Sequence, residues 1–438
     1  MTGLDLPGNG PVILRNLRVP VSLTEGFPLR DHDAASGLAT ADIGIRDGRF
    51  VPAASLGPCP GLDAGGRLML PGFVDMHVHL DKAFTAHRTG FSDNGLSRAV
   101  ELSLADAPNR TVDDLIARMD AALRRADANG TVAMRTHLDT FDTPARSAAW
   151  TAFTEIEAAW KDRIALQAVA LMALFRVEQE DFDDRCADIA RRGGILGAFI
   201  GPGAATPERL DRLVLAAARH GLDLDLHVDE TLDAAADGLA LLTDAVLRHR
   251  FGGRVVAGHC CALAQKPEGE RDRLIGRMAE AGIHVVSLPL TNGFLQDRAP
   301  GRTPLRRGMA PVHELAAAGV GIAFASDNVR DAFYPYGDFD MLAVVRQAHF
   351  LAQLEAEPAR WAPAAHRDAA RAMRLDDAGT LAAGHAADAV IFEAYDWADL
   401  LGGSATGRTI LRRGRTQLPL HDDSRAETPA TNLKWKSA

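Results

Sequence analysis

From residue 69 to residue 326 the chain repeats one theme eight times. A short apolar segment ends in polar residues, and a longer amphipathic segment rich in Ala, Leu and Arg follows. The apolar segments are 69–76 (MLPGFVDM), 131–136, 164–172, 195–200, 222–227, 254–258, 283–288 and 319–325. Eight strands alternating with helices predict a parallel sheet closed as a (β/α)8 TIM barrel, an α/β fold. The competing open, doubly wound sheet wants a glycine fingerprint after its first strand, and none is present.

The flanks follow other rules. Segments 11–19 and 42–51 read as strands, the second carrying the hairpin signal RDGR. Beyond about 376 the helical pattern stops, and 378–393 and 409–413 again read as strands and turns. The expected organisation is a barrel over 69–376 and one small β-sandwich-like domain built from both ends, 1–68 and 377–438. Its polar tail, 421–438, is expected to be loosely held.

Composition narrows the partners. The net charge of −10 makes a phosphate-neutralising surface, and hence nucleic acid, an unexpected partner. No window approaches the ~18 apolar residues of a membrane span, and the start MTGLDLPGNG lacks the features of a secretory signal. Four cysteines without a C-x-x-C pair suit a reducing cytoplasm.

Barrel enzymes work at the C-terminal ends of their strands. The first apolar segment leads into His77-Val78-His79, where i and i+2 share a face and aim two imidazoles at one point. The fifth ends in His227 with Glu230 three residues on, the sixth in His259, the eighth in Ser326-Asp327-Asn328. Singly, such residues serve as hydrogen-bonded fillers or helix caps. Four strand ends of one barrel carrying metal-capable groups together point to a metal site.

The motifs PGFVDMHVHLDK (71–82), RTHLD (135–139), HVDE (227–230), GHCCAL (258–263), LPLTNGFLQ (288–296) and ASDNVRDAFYPYG (325–337) resemble the amidohydrolase superfamily, most closely its cytosine deaminase-like branch. The resemblance covers about 70–425. It implies that His77, His79, His227 and Asp327 hold one divalent ion, Zn2+ or Fe2+. It also implies that Glu230 shuttles protons and that His259 hydrogen-bonds the attacking hydroxide or the developing oxyanion. Asp327 is a candidate second base. Three imidazoles and a carboxylate leave a position open for water, as a catalytic site needs. Glu230 suits an acid–base role because a carboxyl group accepts and then donates a proton within one turnover.

The chain has only five lysines, and the fourth segment, ILGAFIGPG, contains none. A lysine-bridged metal pair is therefore not expected. Lys82, in HLDK, is similar to N-isopropylammelide amidohydrolase, as is SDNVRD. It has two readings: a group facing the substrate, or an ion pair with Asp81. Cytosine deaminases carry a glutamine at the end of their third strand. Ala173 stands there in an ungapped match, and Asn328 replaces an aspartate, so cytosine itself is not the expected substrate. Leu171, Met172, Ala173, Asn292, Asn328 and Phe333 are candidate pocket walls. His137 is expected to organise the site rather than to ligate. Cys260 and Cys261 are read as inert.

The leading expectation is hydrolytic deamination of a small nitrogen heterocycle, with ammonia released by hydroxide generated at the metal. Pyrimidines, triazines, pterin-like rings and creatinine-like lactams are candidates. The second enzyme reading is removal of a substituted amine, or opening of a cyclic C–N bond, in a triazine- or lactam-like ring. A barrel that binds without catalysis is the third, opposed by the intact set of six polar residues. The resemblance favours a homo-oligomer.

Overall fold

The computed structural model describes residues 6, 10–403 and 407–417; the tail 421–438 lies outside the described residues. Eight parallel strands run in chain order around one sheet: Phe73–Val78, Thr131–Asp139, Ala165–Ala173, Ile195–Ile200, Leu224–Val228, Val255–His259, Ile283–Ser287 and Ile322–Phe324. A parallel bridge between Val78 and Asp327 brings the last strand back to the first. Asp327 N–H donates to the His77 carbonyl at 2.9 Å, so the closing hydrogen bond lies among the expected ligands. Each of the eight apolar segments coincides with a strand. The first is shorter than expected, because Met69–Pro71 belongs to another sheet and the barrel strand begins at Phe73. The first barrel strand is buried at all six positions, as in a parallel sheet covered on both faces.

The intervening helices obey local rules. Pro207–His220 starts after Thr206, whose hydroxyl accepts from Arg209 N–H, and carries Pro207 in its first turn. It stops at Gly221, which takes the left-handed conformation (φ 64°) that a side chain would strain. Leu210, Leu213, Val214 and Ala217 form its buried face.

Two compact units result. One takes the chain up to Asp75, Arg124–Ala133 and the chain from Asp340; the other takes Met76–Leu123 and Met134–Phe339. In the first unit a five-stranded sheet orders Leu29–Asp33, Leu38–Arg46, Val12–Pro20 and Gly61–Asp63, with Arg49–Pro52 on Leu38–Arg46. Arg46 pairs Arg49 across Asp47-Gly48, both at positive φ, which is the hairpin anticipated from RDGR. A four-stranded sheet joins Met69–Pro71 to Ala389–Phe392, Arg408–Arg412 and Arg415–Thr416. Thr24–Glu25 pairs with Leu381–Ala382. The two chain ends thus share sheets and one apolar cluster that includes Leu14, Ile43, Met69, Ile391 and Leu411. Beyond the anticipated strands, a short helix spans Trp397–Gly402. Among the described residues no helix is long and apolar enough to cross a membrane.

Candidate active site

His77 and His79 come off the first barrel strand on one side, and His227 arrives from the fifth. His227 Nε2 lies 3.2 Å from His77 Nε2 and 3.2 Å from His79 Nε2. Asp327 Oδ1 lies 3.2 Å from His79 Nε2 and 3.8 Å from His77 Nε2. All four residues are buried. Donors that share one ion at roughly 2.0–2.1 Å stand about 3–3.5 Å apart, so these separations suit a common cation. The hydrogen-bond inventory agrees. Both Asp327 oxygens are buried without a hydrogen-bond partner, and imidazole nitrogens facing one another repel unless a proton or cation sits between them. Burial, then the neighbouring imidazoles, pushes the His77 and His227 pKa values well down, so their rings are neutral, as ligation requires. Burial opposes ionisation of Asp327, but His79 and His259 hold its pKa below the usual carboxylate value. The residues fit a single divalent cation.

His137, from the second strand, lies against this group. Its ring centroid is 4.0 Å from that of His77, and it comes within ligand reach of His77 and His227. Its Nε2 is 3.5 Å from Asp225 Oδ1. Gly258 leaves the room His77 needs, since a Cβ there would stand 3.0 Å from His77 Cε1.

Glu230 is buried beside the donors. Asn292 Nδ2, on the segment after the seventh strand, donates to Glu230 Oε1 at 3.2 Å and lies 3.0 Å from His259 Nδ1. Gln296 Nε2 donates to the Glu230 carbonyl at 3.3 Å. Burial first, and then the nearby Asp327 charge, raises the Glu230 pKa well above normal; the Asn292 hydrogen bond opposes this. A carboxyl group so placed exchanges protons nearer neutral pH. Burial draws His259 down to about 4, and its Nε2 is buried without a partner. His259 and Asp327 both hold positive φ, 69° and 63°, in the left-handed region that disfavours side chains.

Lys82 is 4% exposed and sits behind His79. Its Nζ donates to Asp139 Oδ1 at 2.7 Å and lies 3.6 Å from Asp81 Oδ1 and 3.2 Å from His79 Nδ1. Burial works against its charge, but Asp139 and Asp81 outweigh it and raise its pKa. Arg110 Nη1 donates to the other Asp139 oxygen at 3.0 Å. Of the two readings for Lys82, the ion pair is present, with Asp139 as the shorter partner.

The other pocket candidates divide by strand alternation. Leu171 and Ala173 share the face of Gln167, whose Oε1 accepts from Arg135 within the barrel; Met172 takes the opposite face. Asn328 is buried and spends its amide on Asp331 Oδ2 at 2.7 Å, shaping the loop that carries half-buried Phe333. Burial raises the Cys260 and Cys261 thiols well above their ordinary pKa, consistent with inert side chains.

Sequence reasoning missed Asp139, Gln296 and the buried Arg135–Asp225 pair at 2.7 Å. The alternation of Arg135, His137 and Asp139 within RTHLD, and of Asp225 and His227 within LDLDLH, was the available signal. Gln296 closes the LPLTNGFLQ motif, which gives it no role.

Comparison with known proteins now adds to this geometry. The model of the amidohydrolase family matches residues 89–403. A pterin deaminase of Rhizobium rhizogenes is 40% identical over 415 residues, covering 93% of this chain and 94% of that protein. The structure of N-isopropylammelide isopropylaminohydrolase from Burkholderia multivorans superposes with a TM-score of 0.73 at 26% identity, covering 93% of this chain and 97% of the other. That of 5-methylcytosine deaminase from Klebsiella pneumoniae gives 0.78 at 24% identity, with 93% and 97% covered, a likeness of fold. The chain is therefore a hydrolytic enzyme belonging to the amidohydrolase family.

Proposed function

We propose that the enzyme hydrolytically removes the amino group from a small nitrogen heterocycle of the pterin type, with one divalent ion, zinc or iron, held by His77, His79, His227 and Asp327. The observation that carries this reading is the buried Glu230 carboxyl, fixed by Asn292 beside a converging set of metal donors. The choice of ring is supported by the 40% identity to a pterin deaminase over nearly the whole chain.

A divalent ion in this site supplies Lewis acidity, lowering the pKa of a water towards ~7. The chain's own groups do the rest. Glu230 accepts a proton from the water as its oxygen adds to the ring carbon that bears the amine. It returns that proton to the adjacent ring nitrogen. The proton left on the added oxygen then passes to the amino nitrogen, the C–N bond breaks, and ammonia leaves a ring carbonyl behind. His259, with its unpartnered Nε2, stands to hydrogen-bond the oxygen on which charge develops. Asn292 keeps Glu230 and His259 in register.

The Burkholderia likeness favours a second reading, loss of a substituted amine. An ammonia-release screen over pterin, cytosine, aminotriazines and creatinine, with zinc and iron forms compared, separates them. The expected result is ammonia from pterin well above that from cytosine. Alkylamine from N-isopropylammelide without ammonia from any ring would replace the first reading with the second.

A further inference from the structure

The loops leaving the first, seventh and eighth barrel strands carry an aromatic group that the chemistry above does not use. Phe91 follows the first strand, Phe294 lies in the helix Pro289–Leu295 after the seventh, and Tyr334 and Tyr336 follow the eighth. Phe294 is the hub, its ring centroid 6.3 Å from Phe91, 5.5 Å from Tyr334 and 6.2 Å from Tyr336, edge to face in each case. Tyr334 and Tyr336 meet at 5.6 Å. The chain has three tyrosines in all, so two in one loop is a concentration. None of the four rings is fully buried, and Tyr336 is 48% exposed. Rings left at the working end of a barrel offer a flat, apolar surface to a flat ligand.

Arg298 lies over this group, its Cζ 4.0 Å from the Phe294 centroid. Three neighbouring arginines are tied down. Arg302 bonds Asp297, Arg306 bonds the Leu232 carbonyl, and Arg330 bonds the Gly337 carbonyl. Among the described residues the Arg298 guanidinium meets no carboxylate, and its Nε is buried without a hydrogen-bond partner. A guanidinium fixed on a ring with its donors unspent is preorganised for an anion.

The same segments reach the catalytic groups. Asn292, which holds Glu230 and His259, is two residues before Phe294, and Gln296, which holds the Glu230 carbonyl, is two before Arg298. The tyrosines belong to the loop that begins at Asp327. Asp331 shapes it by accepting from Asn328 Nδ2 and from the N–H groups of Phe333 and Tyr334.

We infer that Arg298 on Phe294, walled by Phe91, Tyr334 and Tyr336, is a subsite for an anionic substituent on the far side of the heterocycle from the departing amine. The inference rests on the reading of this enzyme as a pterin-type deaminase and deepens it: carboxylated bicyclic rings are favoured over neutral ones of the same size.

The test compares kcat/KM for pterin-6-carboxylate and 6-hydroxymethylpterin in the wild type, Arg298→Met and Arg298→Lys. In Arg298→Met the carboxylate-to-hydroxymethyl ratio is expected to fall by ~10–100-fold, the worth of a charge-assisted hydrogen bond, with the change in KM. Arg298→Lys should recover part of it. A ratio within twofold of wild type in Arg298→Met overturns the inference while leaving the deaminase reading intact. Should Arg298→Met fail to fold, salt dependence in the wild type decides. KM for the carboxylate should rise with ionic strength more steeply than KM for the neutral ring; equal dependence overturns the inference. If the wild type neither deaminates nor binds either ring, by pterin fluorescence, the deaminase reading fails and takes the subsite with it.

Discussion

Glu230 and Lys82 are both buried and charged-capable, yet their surroundings give them different work. Burial, and then the facing Asp327, raise the Glu230 pKa against the opposing hydrogen bond from Asn292, and so keep a proton in play. Glu230→Gln preserves shape and removes the titratable group. It should retain the metal, by elemental analysis, while kcat falls by ~100- to 10,000-fold, the usual worth of a general acid–base group. Lys82 sits between carboxylates, and with Arg110 it holds Asp139 at a pKa of about 2 although burial opposes ionisation. Lys82→Met leaves Asp139 and Asp81 with one cation fewer in a buried place. It should cost ~3–5 kcal/mol in urea unfolding, the usual cost of orphaning a buried charge. The two readings of Lys82 left open by the HLDK motif differ in what lies across space; the alternation in RTHLD aims Asp139 with His137, but nothing in the sequence pairs it with Lys82, 57 residues away.

At the scale of elements, helix Val112–Ala128 secures the loop after the first ligand pair. Asp114 in its first turn binds Arg118 at 2.7 Å and Arg88, and Arg118 Nη1 donates to the Asp81 and Ala83 carbonyls. Burial opposes ionisation of Asp114, but Arg88 and Arg118 hold its pKa at about 2. A depressed carboxylate pKa stabilises the fold above the unfolded value near 4 and loses that contribution as pH falls through 2. Allowing for solvent screening at this half-exposed site, Asp114→Asn should cost ~1 kcal/mol at pH 7 and almost nothing near pH 2, measured by denaturant melts. The elements themselves were largely legible. Period and punctuation located all eight barrel strands, and the i, i+2 spacing of His77 and His79 located half of the donor set. The division of 69–76 into strands of two different sheets was hidden because Met69 to Met76 is apolar but for Asp75. Only Gly72, whose Cβ would collide with Val132 at 2.2 Å, marks the join. Asn292 was singled out as a pocket candidate, but its hold on Glu230, like that of Gln296, was less legible still, since a motif after a strand does not state which polar side chain turns towards a carboxylate.

Over the whole molecule, the first and last barrel strands meet where the donors gather, through the Asp327 N–H to His77 carbonyl bond. A cation bound there also fastens the sheet to itself. Chelation should therefore lower Tm as well as activity, and zinc or iron should restore both at about one equivalent per chain, because a ligand that binds only the native state stabilises it. A reproducible two equivalents would contradict the single site. The ends of the sixth and eighth strands hold His259 and Asp327 in backbone conformations that cost ~1 kcal/mol or more each. Asparagine or glycine at these positions relaxes the chain, and neither replaces the imidazole or the carboxylate. Selection of variants by heat resistance alone would thus drift towards well-folded, silent barrels. A screen meant to harden this enzyme has to keep turnover in view at every round.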